Sequence, residues 1–108
     1  MTFWSMLMIK TYDGNAEAAA HAHIKRRCVE EAAETIPGFL HGETMLSNED
    51  PSLVCVMCTW EDKAAYDQWQ ISPVRAKQTE DLTGVISGDI KTQTFESVHT
   101  VEKPDPSS

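Results

Sequence analysis

The chain contains 108 residues, and its 17 acidic and nine basic side chains give a formal net charge of −8 at pH 7. This length predicts a single domain, while the acidic balance argues against binding to nucleic acid or to an anionic membrane surface, because both attract basic patches. Three cysteines are too few for a disulfide framework, and no apolar run approaches the roughly 20 residues of a membrane span, so we expect a small globular protein of the cytoplasm.

Hydrophobic periodicity predicts a strand followed by one long helix in the first third of the chain. The strand covers residues 3–12 and the helix residues 16–35, with Asn15 as the helix N-cap. Pro37 ends this helix, because proline disfavours the helical conformation of the residue before it. Four residues that recur every four positions are expected to form its buried face: Ala16, Ala20, Ile24 and Cys28.

The rest of the chain predicts two strands joined by a polar loop, then two short helical pieces and a final strand. In chain order, the predicted segments are strands over 39–47 and 53–60, helices over 61–70 and 73–81, and a strand over 90–101. The domain is therefore expected to cover residues 1–102, with a disordered tail over 103–108.

The order β-α-β-β-α-β predicts an α+β, ferredoxin-like fold, which is a four-stranded antiparallel sheet with the helices on one face. The first and third strands are central in this topology, and both carry apolar residues on both faces. Because the helices can cover only one face, the other would expose a large apolar patch. We therefore predict a homodimer that pairs through the free sheet faces.

Three large aromatic residues are expected to meet where the third strand joins the next helix. Trp60 ends the strand, and Tyr66 and Trp69 are three positions apart on the helix, so they share a face. Such a wall suits a flat aromatic ligand. From the spacing alone, rings that only fill the core of a small domain are the simpler interpretation.

These aromatic residues belong to a wider pattern, made up of Ile-Pro-Gly-Phe at 36–39, Trp60, Ala65-Tyr66, Trp69 and Ser72-Pro73. Over roughly residues 5–100 the chain resembles the antibiotic biosynthesis monooxygenase (ABM) family. The resemblance implies a dimeric α+β barrel and a monooxygenase that oxidises an aromatic or phenolic small molecule with dioxygen and no cofactor. The alternatives on this scaffold are a non-catalytic binder of a small metabolite or of haem, and a lyase or isomerase.

The resemblance also weighs against haem degradation. The haem-degrading branch of the family uses an asparagine in the first strand and a histidine ligand after the conserved tryptophan. Residues 3–12 contain no asparagine, and Thr79 stands where the histidine is expected. We therefore predict no cofactor, with haem disfavoured.

Carried over residue by residue, the resemblance implies a set of site residues. The catalytic candidates are Trp60, whose indole N–H could donate to a substrate oxygen, and Tyr66, which could donate or relay a proton. From the chemistry of their side chains, the substrate-binding candidates are Trp69, Arg75 as the partner of an oxyanion, and His41 as a base. Arg75 is equally compatible with a solvated helix residue that pairs with a nearby carboxylate. The quinone-forming branch also has an asparagine four positions before the tryptophan, where this chain has Val56.

The remaining histidines and cysteines do not predict a metal or redox site. His21 and His23 are two apart on a helix and point in different directions, so no metal site is expected. Cys55 and Cys58 spell a Cys-x-x-Cys motif inside a strand, away from the helix N-terminus that would lower a thiol pKa. We interpret them, with Cys28, as core thiols.

Overall fold

A computed structural model of the chain describes residues 2–106, so Met1, Ser107 and Ser108 lie outside the described residues. Its eight elements are β1 Phe3–Thr11, α1 Ala16–Lys25, α2 Cys28–Thr35, β2 Phe39–Leu46, β3 Leu53–Trp60, α3 Lys63–Gln70, α4 Pro73–Leu82 and β4 Gly88–Glu96. The predicted ferredoxin-like order is confirmed, with each helical segment divided into two helices. No helix within residues 2–106 is long and apolar enough to cross a membrane.

The four strands form one antiparallel sheet in the order β2-β3-β1-β4, which confirms that β1 and β3 are central. Alternate residues of these strands pack under the helices in two adjoining clusters. Val54 and Ile9 pack against α1, and Val56 and Trp60 pack against α2 and α3. The core therefore lies between the central strands and the helices.

The prediction of one helix over 16–35 was wrong, because the chain turns at Arg26–Arg27 between α1 and α2. Arg27 adopts a left-handed backbone with φ of 60°. Side-chain ion pairs hold this turn: Arg26 contacts Glu31 at 2.8 Å and Asp81 at 2.9 Å. These contacts offset the cost of a non-glycine residue at positive φ, which is about 1 kcal/mol or more.

The prediction that the last strand reaches Val101 was also wrong, because β4 ends at Glu96. Glu96 is paired with Phe3, the first residue of β1, and one further backbone bond joins Ser97 N–H to the Thr2 carbonyl. Beyond that point β4 has no neighbouring strand to pair with. Val101 is accordingly exposed, and no helix or strand covers residues 97–106.

The sheet face opposite the helices is apolar at its centre. The alternation along β1, β3 and β4 places on it a group of apolar side chains, which we call the open face: Trp4, Met6, Met8, Cys55, Met57 and Phe95. Met6 lies beside Met57, and Trp4 lies beside Phe95, which is 48% exposed. The predicted apolar character of both faces of the central strands is therefore present.

Candidate functional site

A cavity of about 290 Å³ lies between the helix-facing side of the sheet and the helices. Its wall includes all four helices, β1, β3 and β4, and most of the exposed wall area is apolar. Thr79 and Thr83 of the α4 side are exposed, as are Ile90 and Thr92 of β4. The mouth of the cavity therefore lies between the end of α4 and the β4 edge.

Trp60 is part of the core and of the cavity wall at once. Its side chain is 1% exposed, and its ring meets Phe39 edge-on at 5.3 Å and Tyr66 edge-on at 5.9 Å between centroids. Tyr66 also contacts Phe3, with ring centroids 5.2 Å apart. Trp60, Tyr66 and Trp69 all line the cavity, so the rings form a fixed aromatic wall as well as filling the interior.

The indole N–H of Trp60 is already occupied. Trp60 Nε1 donates a hydrogen bond of 3.0 Å to Ser5 Oγ, and both side chains are buried. Ser5 also lines the cavity and keeps its own hydroxyl proton to donate. The donor that can face a ligand here is therefore the serine, a residue that we did not single out from the sequence. Its signal was a hydroxyl between the apolar residues Phe3 and Leu7 at the helix-facing positions of β1.

Tyr66 and Arg75 supply further polar groups to the cavity. Burial raises the pKa of the Tyr66 phenol, and the nearby Arg75 cation acts in the opposite sense. The Tyr66 hydroxyl therefore keeps its proton at neutral pH. Within residues 2–106, this hydroxyl makes no hydrogen bond.

Arg75 is half-buried, and its guanidinium forms no ion pair with any carboxylate of the described chain. The described residues that line the cavity include neither aspartate nor glutamate. An unpaired cation in a carboxylate-free, partly apolar cavity favours an anionic oxygen on the ligand.

His41 lies away from this cavity. It pairs with Thr59 after a bulge in β2, at positions 39–41, that reverses the expected alternation. Its side chain is exposed, and Nε2 is 3.3 Å from Glu43 Oε2. The structure therefore brings together four of the five residues predicted for the site, which are Trp60, Tyr66, Trp69 and Arg75, and leaves His41 outside.

His23 is the histidine that the structure places in the cavity wall. Its side chain is 8% exposed, and Nδ1 is enclosed without a hydrogen-bond partner among the described residues. Burial lowers the pKa of the imidazole, against a smaller raising effect of the Glu30 charge. The sequence did carry a signal, because His23 follows the buried Ala19 and Ala20 by four and three positions and so shares their helix face.

Gln78 links α4 to α2 beside the cavity through hydrogen bonds. It is buried, and its Nε2 donates to the Cys28 carbonyl at 3.1 Å and to Glu31 Oε1 at 3.0 Å. One residue further, the Thr79 hydroxyl donates to the Arg75 carbonyl at 3.2 Å. Thr79 thus lines the mouth of the cavity without the imidazole that haem ligation at this position would use.

Cys28 and Cys58 are buried as predicted, whereas the prediction that Cys55 is a core thiol was wrong, because its side chain lies on the open face. Cys28 and Cys58 are buried, and burial raises their pKa values to about 11 and about 12. Cys55 is half-buried on the open face, and burial raises its pKa as well. None of these thiols is activated as a nucleophile.

The sequence profile of the family described as "Antibiotic biosynthesis monooxygenase" matches residues 5–77. The chain belongs to this family. No curated protein matches the chain at a significant level.

Solved structures of ABM proteins share the fold. SnoaB, a cofactor-independent oxygenase from Streptomyces nogalater, is 14% identical with a TM-score of 0.74, over 94% of this chain and 98% of SnoaB. A candidate ABM protein from Deinococcus radiodurans is 17% identical with a TM-score of 0.71, over 97% of this chain and 100% of that one. At these identities the likeness shows the fold of this chain and not its reaction.

Proposed function

We propose that this protein is a cofactor-independent monooxygenase that oxidises a phenolic aromatic small molecule with dioxygen. The observation that carries the proposal is the composition of the cavity wall, which holds the rings of Trp60, Tyr66 and Trp69 together with Arg75, a cation that has no carboxylate partner within residues 2–106. Aromatic rings bind a flat ligand by stacking and edge contacts, and the guanidinium binds its oxyanion. Membership of the ABM family supports the same reaction class.

In this proposal the substrate itself supplies the electrons. The phenol loses its proton, and Arg75 stabilises the phenolate. A ring carbon of the phenolate bonds to dioxygen, which becomes a peroxide on that carbon. Protonation of the peroxide and loss of water, which takes the hydrogen of the same carbon, break the O–O bond and leave a quinone carbonyl. One oxygen atom enters the product, and the other leaves as water.

The protein contributes binding, hydrogen-bond donors and exclusion of water. Ser5 Oγ is held by the Trp60 indole and can donate its own proton to a substrate or peroxide oxygen. The Tyr66 hydroxyl is a second donor on the same wall. The wall rings keep bulk water from the reacting carbon. Trp60 therefore acts on the substrate mainly through Ser5.

Dioxygen uptake by protein free of flavin, haem and metal tests the proposal. A panel of phenols and hydroquinones is added, and an oxygen electrode follows dioxygen uptake by the wild type, by Arg75→Gln and by Lys77→Gln. Lys77 is an exposed control residue on the same helix. Uptake that the Lys77 variant retains and the Arg75 variant loses supports the proposal. A Soret band on haem addition, or a tightly bound organic molecule in the purified protein, with no uptake on any phenol, would instead support the binding alternative.

We also propose that two copies pair through the open face. Trp4, Met6 and Phe95 form a partly exposed apolar area around the buried Met57, and covering it removes it from water. Light scattering is expected to give about twice the mass of one chain. Met6→Lys should shift the protein to monomers, and a wild-type protein that is monomeric at micromolar concentration would contradict the pairing.

A further inference from the structure

His23 is a buried titratable group that the mechanism above does not use. It lines the cavity, and its ring also lines an outer groove between the α1–α2 segment and β2. Residues of this groove include Ile24, Glu30 and Leu40. His23 thus lies between the cavity and the outer groove.

The imidazole has no structural partner that would explain its burial. Within residues 2–106 it donates and accepts no hydrogen bond, and Nδ1 is enclosed. A buried polar group without a partner costs about 1–3 kcal/mol of folding free energy. An apolar side chain would therefore fill this part of the core with less loss of stability than His23 does. A ligand in the cavity could supply the missing partner.

We propose that His23 is the general base that takes the phenolic proton from the substrate, directly or through one water, and returns it to the peroxide. This inference rests on the proposed function. The O–H bond of the phenol breaks and an N–H bond forms on the imidazole. After the ring carbon has bonded to dioxygen, the same proton moves to the peroxide oxygen. His23 ends neutral, so the proton balance closes within the site.

The charges around His23 fit a base that acts only when the substrate is bound. Two sets of titratable or charged residues line these spaces together with His23. Those of the cavity are Cys28, Cys58, Tyr66 and Arg75, and those of the outer groove are Glu30 and His41. The two thiols and the hydroxyl of Tyr66 are neutral at pH 7, since burial raises their pKa values. Glu30 and a phenolate beside the ring would therefore be the anions that stabilise an imidazolium.

The test counts protons rather than turnovers. Nitrophenol, a chromophoric phenol, is added without dioxygen at a pH about one unit below its own pKa, so that most of the free phenol is neutral. Its absorbance reports whether the bound phenol is ionised, and calorimetry in two buffers of different ionisation enthalpy reports the protons released. The variants are His23→Gln and His23→Phe, and the matched control is His21→Gln, since His21 is exposed on the same helix.

Wild type and His21→Gln are expected to bind the phenolate without net proton release. The His23 variants should bind neutral nitrophenol, or release one proton per phenolate bound, and should lose about 100-fold or more in dioxygen uptake. Identical spectra and proton counts in wild type and both His23 variants would overturn the inference while leaving the proposed function intact. Failure of the wild type to bind any phenol would overturn both.

Discussion

Trp60 Nε1 donates a 3.0 Å hydrogen bond to Ser5 Oγ across 55 positions of sequence. The bond joins adjacent central strands, β3 and β1, beneath the cavity. It explains why a serine, rather than an apolar residue, stands between Phe3 and Leu7 on the helix-facing side of β1. It also makes Ser5, rather than the indole, the group able to donate to a ligand.

Removing the hydroxyl of Ser5 should therefore weaken the fold. Ser5→Ala leaves the buried indole N–H unpaired, which should cost about 1–3 kcal/mol of unfolding free energy. Urea unfolding measures this, with Ser87→Ala, at an exposed serine, as a comparison. Trp60→Phe removes the donor and should make a subsequent Ser5→Ala change nearly neutral. Additive losses in this double-mutant cycle would contradict an energetically significant bond.

Arg75→Gln should lower affinity for an ionised phenol about 10-fold or more, because a hydrogen bond to a charged group contributes about 1.5–3 kcal/mol. Titration of the bound chromophore at two pH values measures the loss. The loss should be large where the phenol is ionised and small where it is neutral. Lys77, which pairs with Asp81 at 2.9 Å, is the control, and equal losses at Lys77 and Arg75 would contradict a specific role of Arg75.

His23 makes stability depend on pH in a defined direction. Burial lowers its pKa below the ordinary 6.5, so the unfolded chain takes up this proton first as the pH falls. The stabilising contribution of neutral His23 is complete above pH 6.5 and is lost as the pH falls from there towards the lower pKa of the folded state. His23→Phe should therefore flatten the fall of the unfolding free energy between neutral and mildly acidic pH. Equal slopes in wild type and His23→Phe would contradict this prediction.

Arg27→Gly should leave stability unchanged or raise it by up to about 1 kcal/mol. Glycine adopts the positive φ of 60° without the steric cost that a side chain brings. The exposed ion pair with Glu34 that it loses contributes little. Thermal unfolding compares the stability of Arg27→Gly with that of Arg27→Val. The valine variant should be less stable, since a β-branched residue is destabilising at positive φ. A clear loss in Arg27→Gly would show that the ion pair with Glu34 outweighs the backbone cost at this position.

The sequence predicted the fold well where the pattern is local. The strand over 53–60 has the predicted bounds, and Asn15 caps α1 by accepting from the Ala18 N–H at 3.0 Å. The break at Arg27 was missed in part because one contact that stabilises it, between Arg26 and Asp81, joins residues 55 positions apart in sequence. A left-handed arginine has no local signature of the kind that glycine provides.

The site could be predicted only in part, because it depends on which face each side chain takes. Trp60 and Tyr66 follow from strand and helix periodicity. His41 does not, because one bulge in β2 reverses its face. His23 looked unremarkable as half of a non-metal pair, and its role is visible only once α1 is packed against the cavity.

The central claim is that the cavity binds a phenol beside Arg75 and lets it react with dioxygen without a cofactor. Its most direct test is dioxygen consumption by protein shown to be free of flavin, haem and metal, measured against loss of the phenol. The account predicts about one dioxygen consumed per phenol oxidised, with uptake strongly reduced in Arg75→Gln. No uptake above the protein-free rate with any phenol or hydroquinone, in protein that still binds them, would contradict it.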